Sequence, residues 1–294
     1  MGLMRIISAS RRTDIPAYYS DWFMGRIEAG FARWRNPFSG QEIETSLRPE
    51  DVAAIVFWSK NYTPMLPHLS RLHEQGYRFI LHFTITGLPR VLEPNVPPAE
   101  DMIQVARKLA GEFGQETVLW RYDPTLISSI TDLDHHRARF TELASALAGA
   151  TSRCYFSFPT FYGKTIRNTA ALSRETGIEF RDIPIQDKIA FADELADIAE
   201  SHGITLLTCC NDALISDKVH KAHCVDAELL WKLYRERMIK AKRNGTRKGC
   251  GCYESTDIGA YDTCPHGCVY CYANTNKDVA TRQWKEHSPA NCEL

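Results

Sequence analysis

The 294-residue chain has no long hydrophobic run, no surplus of either charge, no internal repeat and almost no cysteine in its first two-thirds. No apolar stretch approaches the roughly 20 residues of a membrane-spanning helix, so no membrane partner is expected. The N-terminus lacks the apolar core of a secretory signal, which makes a cytoplasmic protein the expectation. Lys and Arg number 35 against 36 Asp and Glu, for a net charge of -1. That balance gives no electrostatic case for nucleic acid, although a local basic groove stays compatible with it. The lack of self-similarity excludes a solenoid. Of ten cysteines only Cys154 precedes residue 208. Clustered thiols in a cytosolic chain of this size point to metal binding, not to a disulfide framework. Metal chemistry is therefore expected on the C-terminal third.

Strand–loop–helix units fill the remainder. Apolar runs at Arg5–Ser8, Ala53–Trp58, Arg78–Thr84, Thr117–Trp120, Cys154–Phe158 and Ile204–Thr208 read as six buried strands. Amphipathic helical patterns separate them near 19–29, 64–75, 99–113, 133–148, 165–175 and 187–202. Residues 32–35 and 43–47 alternate about Asn36-Pro37-Phe38-Ser39-Gly40, the pattern of a β-hairpin. Six β/α units predict an α/β fold with a parallel sheet, as a partial or closed barrel of TIM-barrel type. Residues 1–244 form that barrel-like domain in this reading. Residues 245–294 form an irregular, Cys-rich segment packed on its mouth, held by metal because it cannot build a core alone.

Function in parallel β/α folds gathers where strands end and loops begin. Each strand end here carries polar residues, among them Arg11, Arg12 and Asp14, then Lys60, His82, Arg121, Asp123, Lys164, Cys209 and Asp212. Arg121 with Asp123 is suited to orienting a zwitterion, a carboxylate or a phosphate. Arg121, Asp123, Lys60 and Asp14 are the candidate catalytic residues, and Arg12 a candidate cofactor contact. His82 reads as a core residue, and His135-His136 as solvated at a helix start.

Near the C-terminus the chain reads Cys264-Pro265-His266-Gly267-Cys268-Val269-Tyr270-Cys271-Tyr272-Ala273-Asn274. Three thiolates spaced C-x3-C-x2-C, with a tight turn at Gly267, can hold three corners of a [4Fe-4S] cube and leave the fourth iron free. Structural zinc favours four closed ligands, often as two short pairs, so the asymmetric triplet points to iron–sulfur.

This loop, with an aromatic residue before its third Cys, resembles the cluster loop of the radical S-adenosylmethionine (radical SAM) enzymes. The longer run from Cys250-Gly251-Cys252 through Asp257-Ile258-Gly259-Ala260-Tyr261 to Asn274 is similar to the DUF1848 family. The radical SAM resemblance implies a cluster on Cys264, Cys268 and Cys271 that binds S-adenosylmethionine. It further implies a 5′-deoxyadenosyl radical acting on a small or nucleotide-like anionic substrate, and an electron donor such as flavodoxin or ferredoxin. Tyr270 and Tyr272 would pack beside cluster and adenine, and Asn274 would hydrogen-bond nearby. The triplet follows the six strands, and no Gly-Gly-Glu-like segment comes after it. Either the barrel is circularly rearranged, or the front strand ends supply the cofactor contacts, or the cluster works without S-adenosylmethionine, as a Lewis acid or electron carrier.

A second cysteine set comprises Cys250 and Cys252 with Cys209 (or Cys210) and Cys224. Four such thiols close a site, and an auxiliary [4Fe-4S] cluster is the expectation, with structural zinc as the alternative. Cys224 precedes an apparent helix start, where the dipole favours a thiolate. Cys154 reads as a buried apolar thiol, and Cys292 has no assigned role.

Overall fold

The apolar runs assemble into one parallel sheet. The computed structural model describes residues 4–237, 239 and 241–294. In chain order these give β1 (Arg5–Ala9), α1 (Ile15–Tyr18), α2 (Ser20–Ala29), β2 (Phe31–Arg35), β3 (Glu42–Ser46), β4 (Val52–Ser59) and α3 (Leu66–Glu74). Next come β5 (Phe79–Thr84), α4 (Ala99–Phe113), β6 (Val118–Tyr122), α5 (Leu133–Leu147), β7 (Arg153–Phe156) and α6 (Gly163–Thr176). The chain closes with α7 (Ile185–Ser201), β8 (Thr205–Thr208), β9 (His220–Lys221), α8 (Ala227–Leu233), β10 (Thr256–Asp257) and α9 (Lys277–Glu286). The predicted hairpin is the antiparallel pair β2–β3.

The sheet has eight strands in the order β10-β1-β4-β5-β6-β7-β8-β9, every neighbouring pair parallel. Among the described residues strand pairing does not close it into a barrel: β9 and β10 are its two edges. The segments beyond those edges nevertheless meet, since Tyr253 N–H donates to the Val225 carbonyl at 3.0 Å.

Alternation along each strand splits the core. Ile7, Ile55, Phe57, Leu81, Trp120 and Phe156 pack on one side, against Trp22, Phe23, Phe140 and Leu195 of the helices. Ile6, Ala54, Val56, Ile80, Leu119 and Tyr155 face the other side. That second side is covered by the C-terminal part of the chain, through Cys224, Val225, Leu229, Leu230, Cys252 and Tyr253. Both faces are therefore dry, which is why the strands read as unbroken apolar runs. Each large side chain so buried contributes about 1.5–3 kcal/mol.

Two readings of the sequence need correction. The tail is not wholly irregular: β10 extends the sheet beside β1, and Asn276 caps α9 by accepting from Asp278 and Val279 N–H. His136 is fully buried, not solvated; its Nδ1 meets the Tyr122 hydroxyl at 2.7 Å and its Nε2 the Leu126 carbonyl at 3.0 Å.

Candidate functional site

The triplet loop is stitched to the ends of the front strands. Asp14, the N-cap of α1, accepts from Ala17 N–H (3.0 Å), Ser59 Oγ (2.6 Å) and Lys60 N–H (2.8 Å). Its second oxygen holds His266 Nε2 at 2.8 Å, between the first two cysteines of the loop. With the proton on Nε2, His266 Nδ1 accepts from Tyr18 Oη at 3.0 Å. Gly267 has φ +72°, a left-handed turn that favours glycine, and a Cβ there would lie 3.0 Å from Pro94 Cγ. Asn95 Nδ2 donates to the Pro265 carbonyl (2.8 Å), Val269 N–H to that of Leu92 (3.0 Å), and Asn274 Nδ2 to that of Cys264 (2.6 Å).

Burial raises the pKa of all three loop thiols, Cys268 to about 12. Cys264 and Cys268 also feel the charge of Cys271, so the sulfurs share one electrostatic neighbourhood. Soft thiols of this kind bind a metal centre as thiolates and release their protons on loading.

Beside the loop lies a buried ion pair. Lys60 Nζ is 2.9 Å from Glu93 Oε1, with side chains 11% and 3% exposed. Thr86 Oγ1 lies 3.1 Å from each Glu93 oxygen, and the Tyr270 hydroxyl also donates to Glu93. Burial alone would lower the Lys60 pKa, but the Glu93 and Cys268 charges outweigh it and hold Lys60 protonated. The pair borders a cavity of about 460 Å³ that reaches Pro94 and Arg139.

Farther along the inner face, the strand register brings Trp58 beside His82, Thr84 beside Arg121, and Arg121 beside Tyr155. Trp58 stacks on His82 with centroids 4.2 Å apart, and two guanidiniums lie over its ring, Arg11 at 5.0 Å and Arg121 at 5.3 Å. Arg121 is 8% exposed; it donates to Asp123 and, at 3.4 Å, to Cys224 Sγ. Asp123 is held in turn by Ser157 Oγ at 2.5 Å. Burial and the Arg121 charge lower the His82 pKa to about 3, so the ring is neutral. Its Nε2–H donates to the Cys224 carbonyl at 2.6 Å, which leaves Nδ1 buried without a donor.

Cys224 belongs to a network of five thiols. Cys209 Sγ lies 3.4 Å from Cys224 Sγ and 3.6 Å from Cys210 Sγ. Cys252 Sγ accepts from Val225 N–H, next to Cys224, at 3.4 Å, and Cys250 packs against the same cluster. The pKa values of Cys224 and Cys250 are lowered because each accepts S–H bonds from two neighbours, while those of Cys209, Cys210 and Cys252 are raised. Among the described residues no group of three or more His, Cys, Asp or Glu side chains is already arranged to hold a metal ion. The sulfurs contact one another.

The predicted site residues thus fall into two neighbourhoods. Asp14, Lys60, Tyr270 and Asn274 join the triplet; Arg121, Asp123, Cys209, Cys224, Cys250 and Cys252 join the thiol network. Between them lie Tyr272, whose hydroxyl donates to the Arg11 carbonyl (2.7 Å), and Arg12, which donates to the Gly259 carbonyl (3.2 Å). Sequence reasoning gave no role to Asp257, Glu93, His266 or Trp58. Asp257 gathers Ser8 Oγ (2.8 Å), Ser10 Oγ (2.6 Å) and Arg11 N–H (2.9 Å) onto one carboxylate. Its place in the quoted motif was the only signal, and Glu93 in a Pro-rich loop had none.

A parallel α/β sheet whose strand ends meet two groups of cysteines therefore defines the class. A family model described as a domain of unknown function, DUF1848, matches residues 6–273, and the chain belongs to that family. No curated protein matches it. Among the described residues no helix is long and apolar enough to cross a membrane.

Proposed function

We propose that the chain is an iron–sulfur enzyme of the radical SAM type, acting on a small or nucleotide-like anionic substrate. The observation that carries this reading is the triplet loop. Three soft thiols, buried Cys268 and half-buried Cys264 and Cys271, lie on one short loop at a spacing that leaves a cube corner without a protein ligand. The donor set fits such a cluster, and the buried Asn274 Oδ1 has no hydrogen-bond partner, so it offers a lone pair to a cofactor amine or hydroxyl. When bound and reduced by a flavodoxin- or ferredoxin-like donor, the cluster supplies the electron that cleaves S-adenosylmethionine to a 5′-deoxyadenosyl radical.

The chain's own residues orient and enclose. Asp14 and His266 fix the loop against β1 and β4. Lys60, kept charged by Glu93, sets a positive charge beside Cys268. Arg11 presents a buried Nη2 with no partner, a donor suited to a substrate anion. The loops at the strand ends, with the triplet loop laid over them, serve in this reading to exclude water from a reactive intermediate.

One observation favours a second reading, a [4Fe-4S] redox or Lewis-acid protein that makes no use of S-adenosylmethionine: the chain lacks a Gly-Gly-Glu-like segment after the loop. Anaerobically reconstituted protein, reduced with S-adenosylmethionine present, separates the two. Release of 5′-deoxyadenosine and methionine supports the first; a cluster-loaded protein that releases neither supports the second.

A further inference from the structure

Outside the triplet loop, five thiols gather into a ring-like group: Cys209 Sγ lies 3.4 Å from Cys224 Sγ and 3.6 Å from Cys210 Sγ, and Cys250 and Cys252 pack in the same cluster as Cys209 and Cys224. Three separate parts of the chain build it: the end of β8, the segment before α8, and the C-x-C at 250–252. Adjacent residues of an extended strand point to opposite sides, yet Cys209 and Cys210 both join the ring. They do so because Cys210 takes a left-handed backbone, φ 56°, which non-glycine residues seldom adopt. Gly251 allows the C-x-C to approach: a Cβ there would lie 2.6 Å from His223 Nδ1 and 3.1 Å from the Ala222 carbonyl.

Charge is the second, independent observation. Neutral buried thiols need no cations near them, since free cysteine behaves as a small hydrophobe. Here Arg121 Nη1 sits 3.4 Å from Cys224 Sγ, Arg247 lines the same cavity as Cys209 and Cys210, and Arg11 lies over the Trp58 ring together with Arg121. Arg11 Nη2 is buried and has no hydrogen-bond partner. Such a guanidinium calls for a negative partner. Asp123 takes part of the Arg121 charge, and Arg11 Nη2 has no partner, so the thiol group faces more cationic donors than a set of small hydrophobes calls for.

We propose that Cys209, Cys224, Cys250 and Cys252 bind one divalent metal ion of the zinc class as a tetrathiolate, with Cys210 as a fifth, non-ligating thiol turned toward Arg247. Four thiolates on a divalent ion carry two negative charges, set against the guanidiniums of Arg11, Arg121 and Arg247, of which Arg121 is shared with Asp123. Binding is a ligand exchange without electron transfer: the thiol protons go to solvent and four sulfur–metal bonds replace the S–H···S bonds of the ring. Spacing selects a single ion over a cube. Thiolates at about 2.3 Å from one tetrahedral ion are about 3.8 Å apart, close to the 3.4 Å between the ligand pair Cys209 and Cys224. Ligands on four different iron corners must spread farther. Of the two readings the sequence left open for these cysteines, this proposal takes the structural zinc over the auxiliary [4Fe-4S] cluster. Cys210 and Cys209 line a cavity of about 300 Å³ with Lys188 and Arg247, which leaves the fifth thiol open to small molecules.

The test uses the full chain with Cys264→Ala, Cys268→Ala and Cys271→Ala, so that only the ring can bind. Metal content is measured on the purified protein, and the metal-stripped form is titrated with Co²⁺, whose ligand-field and thiolate charge-transfer bands report a tetrahedral sulfur shell. The expected result is one equivalent of metal per chain with a tetrathiolate spectrum. Adding Cys224→Ser should weaken Co²⁺ binding at least tenfold, whereas Cys210→Ser should leave the spectrum unchanged. Iron with equimolar inorganic sulfide in the triplet-free variant overturns the proposal, as does a folded variant that binds no Co²⁺. If the variant does not fold, X-ray absorption at the zinc edge of the unmutated protein decides: four sulfur neighbours support the site, and no bound zinc overturns it. None of these readouts depends on 5′-deoxyadenosine release, so this site and the radical reading stand or fall separately.

Discussion

His266 Nε2 lies 2.8 Å from Asp14 Oδ2, a buried contact between residues 252 positions apart that ties the cysteine loop to the first strand–helix junction. The same carboxylate satisfies two backbone N–H groups and a serine hydroxyl. Asp14 therefore acts as a positioning residue. Asp14→Ala would strand several buried donors at about 1–3 kcal/mol each. It should lower stability to urea by about 3 kcal/mol or more and reduce iron retention after reconstitution. Asp14→Asn, which keeps an acceptor, should lose less of both. Equal iron loading in wild type and Asp14→Ala would contradict this role.

The Lys60–Glu93 pair makes a different prediction. Removing one partner of a buried pair leaves an uncompensated charge, at a cost of about 3–5 kcal/mol. Glu93→Leu should therefore destabilise strongly, and Lys60→Met added to it should recover most of the loss. A double-mutant cycle in urea measures the recovery; simple additivity would mean that the two charges do not depend on each other.

His136 should make stability depend on pH. In the unfolded chain its imidazole takes up a proton near pH 6.5. In the folded chain burial holds it neutral down to about pH 4. Above pH 6.5 both states are neutral and the full stability is present. As pH falls toward 4 the unfolded chain binds the extra proton, and about 3 kcal/mol is lost. Denaturation curves at pH 7.5 and 5 should show the fall, and His136→Gln should remove its share while leaving the fall that buried His82, its pKa lowered to about 3, contributes.

Cys271→Ala should abolish iron and sulfide binding at the triplet, because the cube then keeps only two protein ligands. Cys154→Ala is the matched control: Cys154 is fully buried in β7 and lies among core side chains. It should retain full iron content with only a modest loss of thermal stability. Iron loss in both variants would point to a general folding defect.

Gly251→Ala should disturb the thiol ring without touching a sulfur, since its Cβ would press on His223 and the Ala222 carbonyl. Co²⁺ affinity is expected to fall at least tenfold while secondary structure by circular dichroism is retained. Unchanged affinity would show that the C-x-C does not need this close approach.

Much of this was legible in the residues. Apolar run length located six strands, because a strand dry on both faces shows no alternation. Helix bounds followed from periodicity and end signals, as with α4 over Ala99–Phe113 and the turn at Gly76. The triplet was legible because its ligand spacing is local. His136 was misread since helix position alone does not say whether a ring finds Tyr122 and a free carbonyl. The two-residue strands β9 and β10 were missed, because so short a pairing leaves no pattern of its own.

What the sequence by itself determined is the set of parallel strand–helix units, the polar strand ends and the three-cysteine loop. Each depends on residues near one another in the chain. Tertiary structure alone decided that the sheet stays open, that Asp257 and Glu93 become hubs, and that Cys210 joins four other thiols beside Arg121. Those outcomes depend on segments up to about 250 residues apart. Burial is what couples them: once water is excluded, each charge and each polar atom must find its partner across the fold.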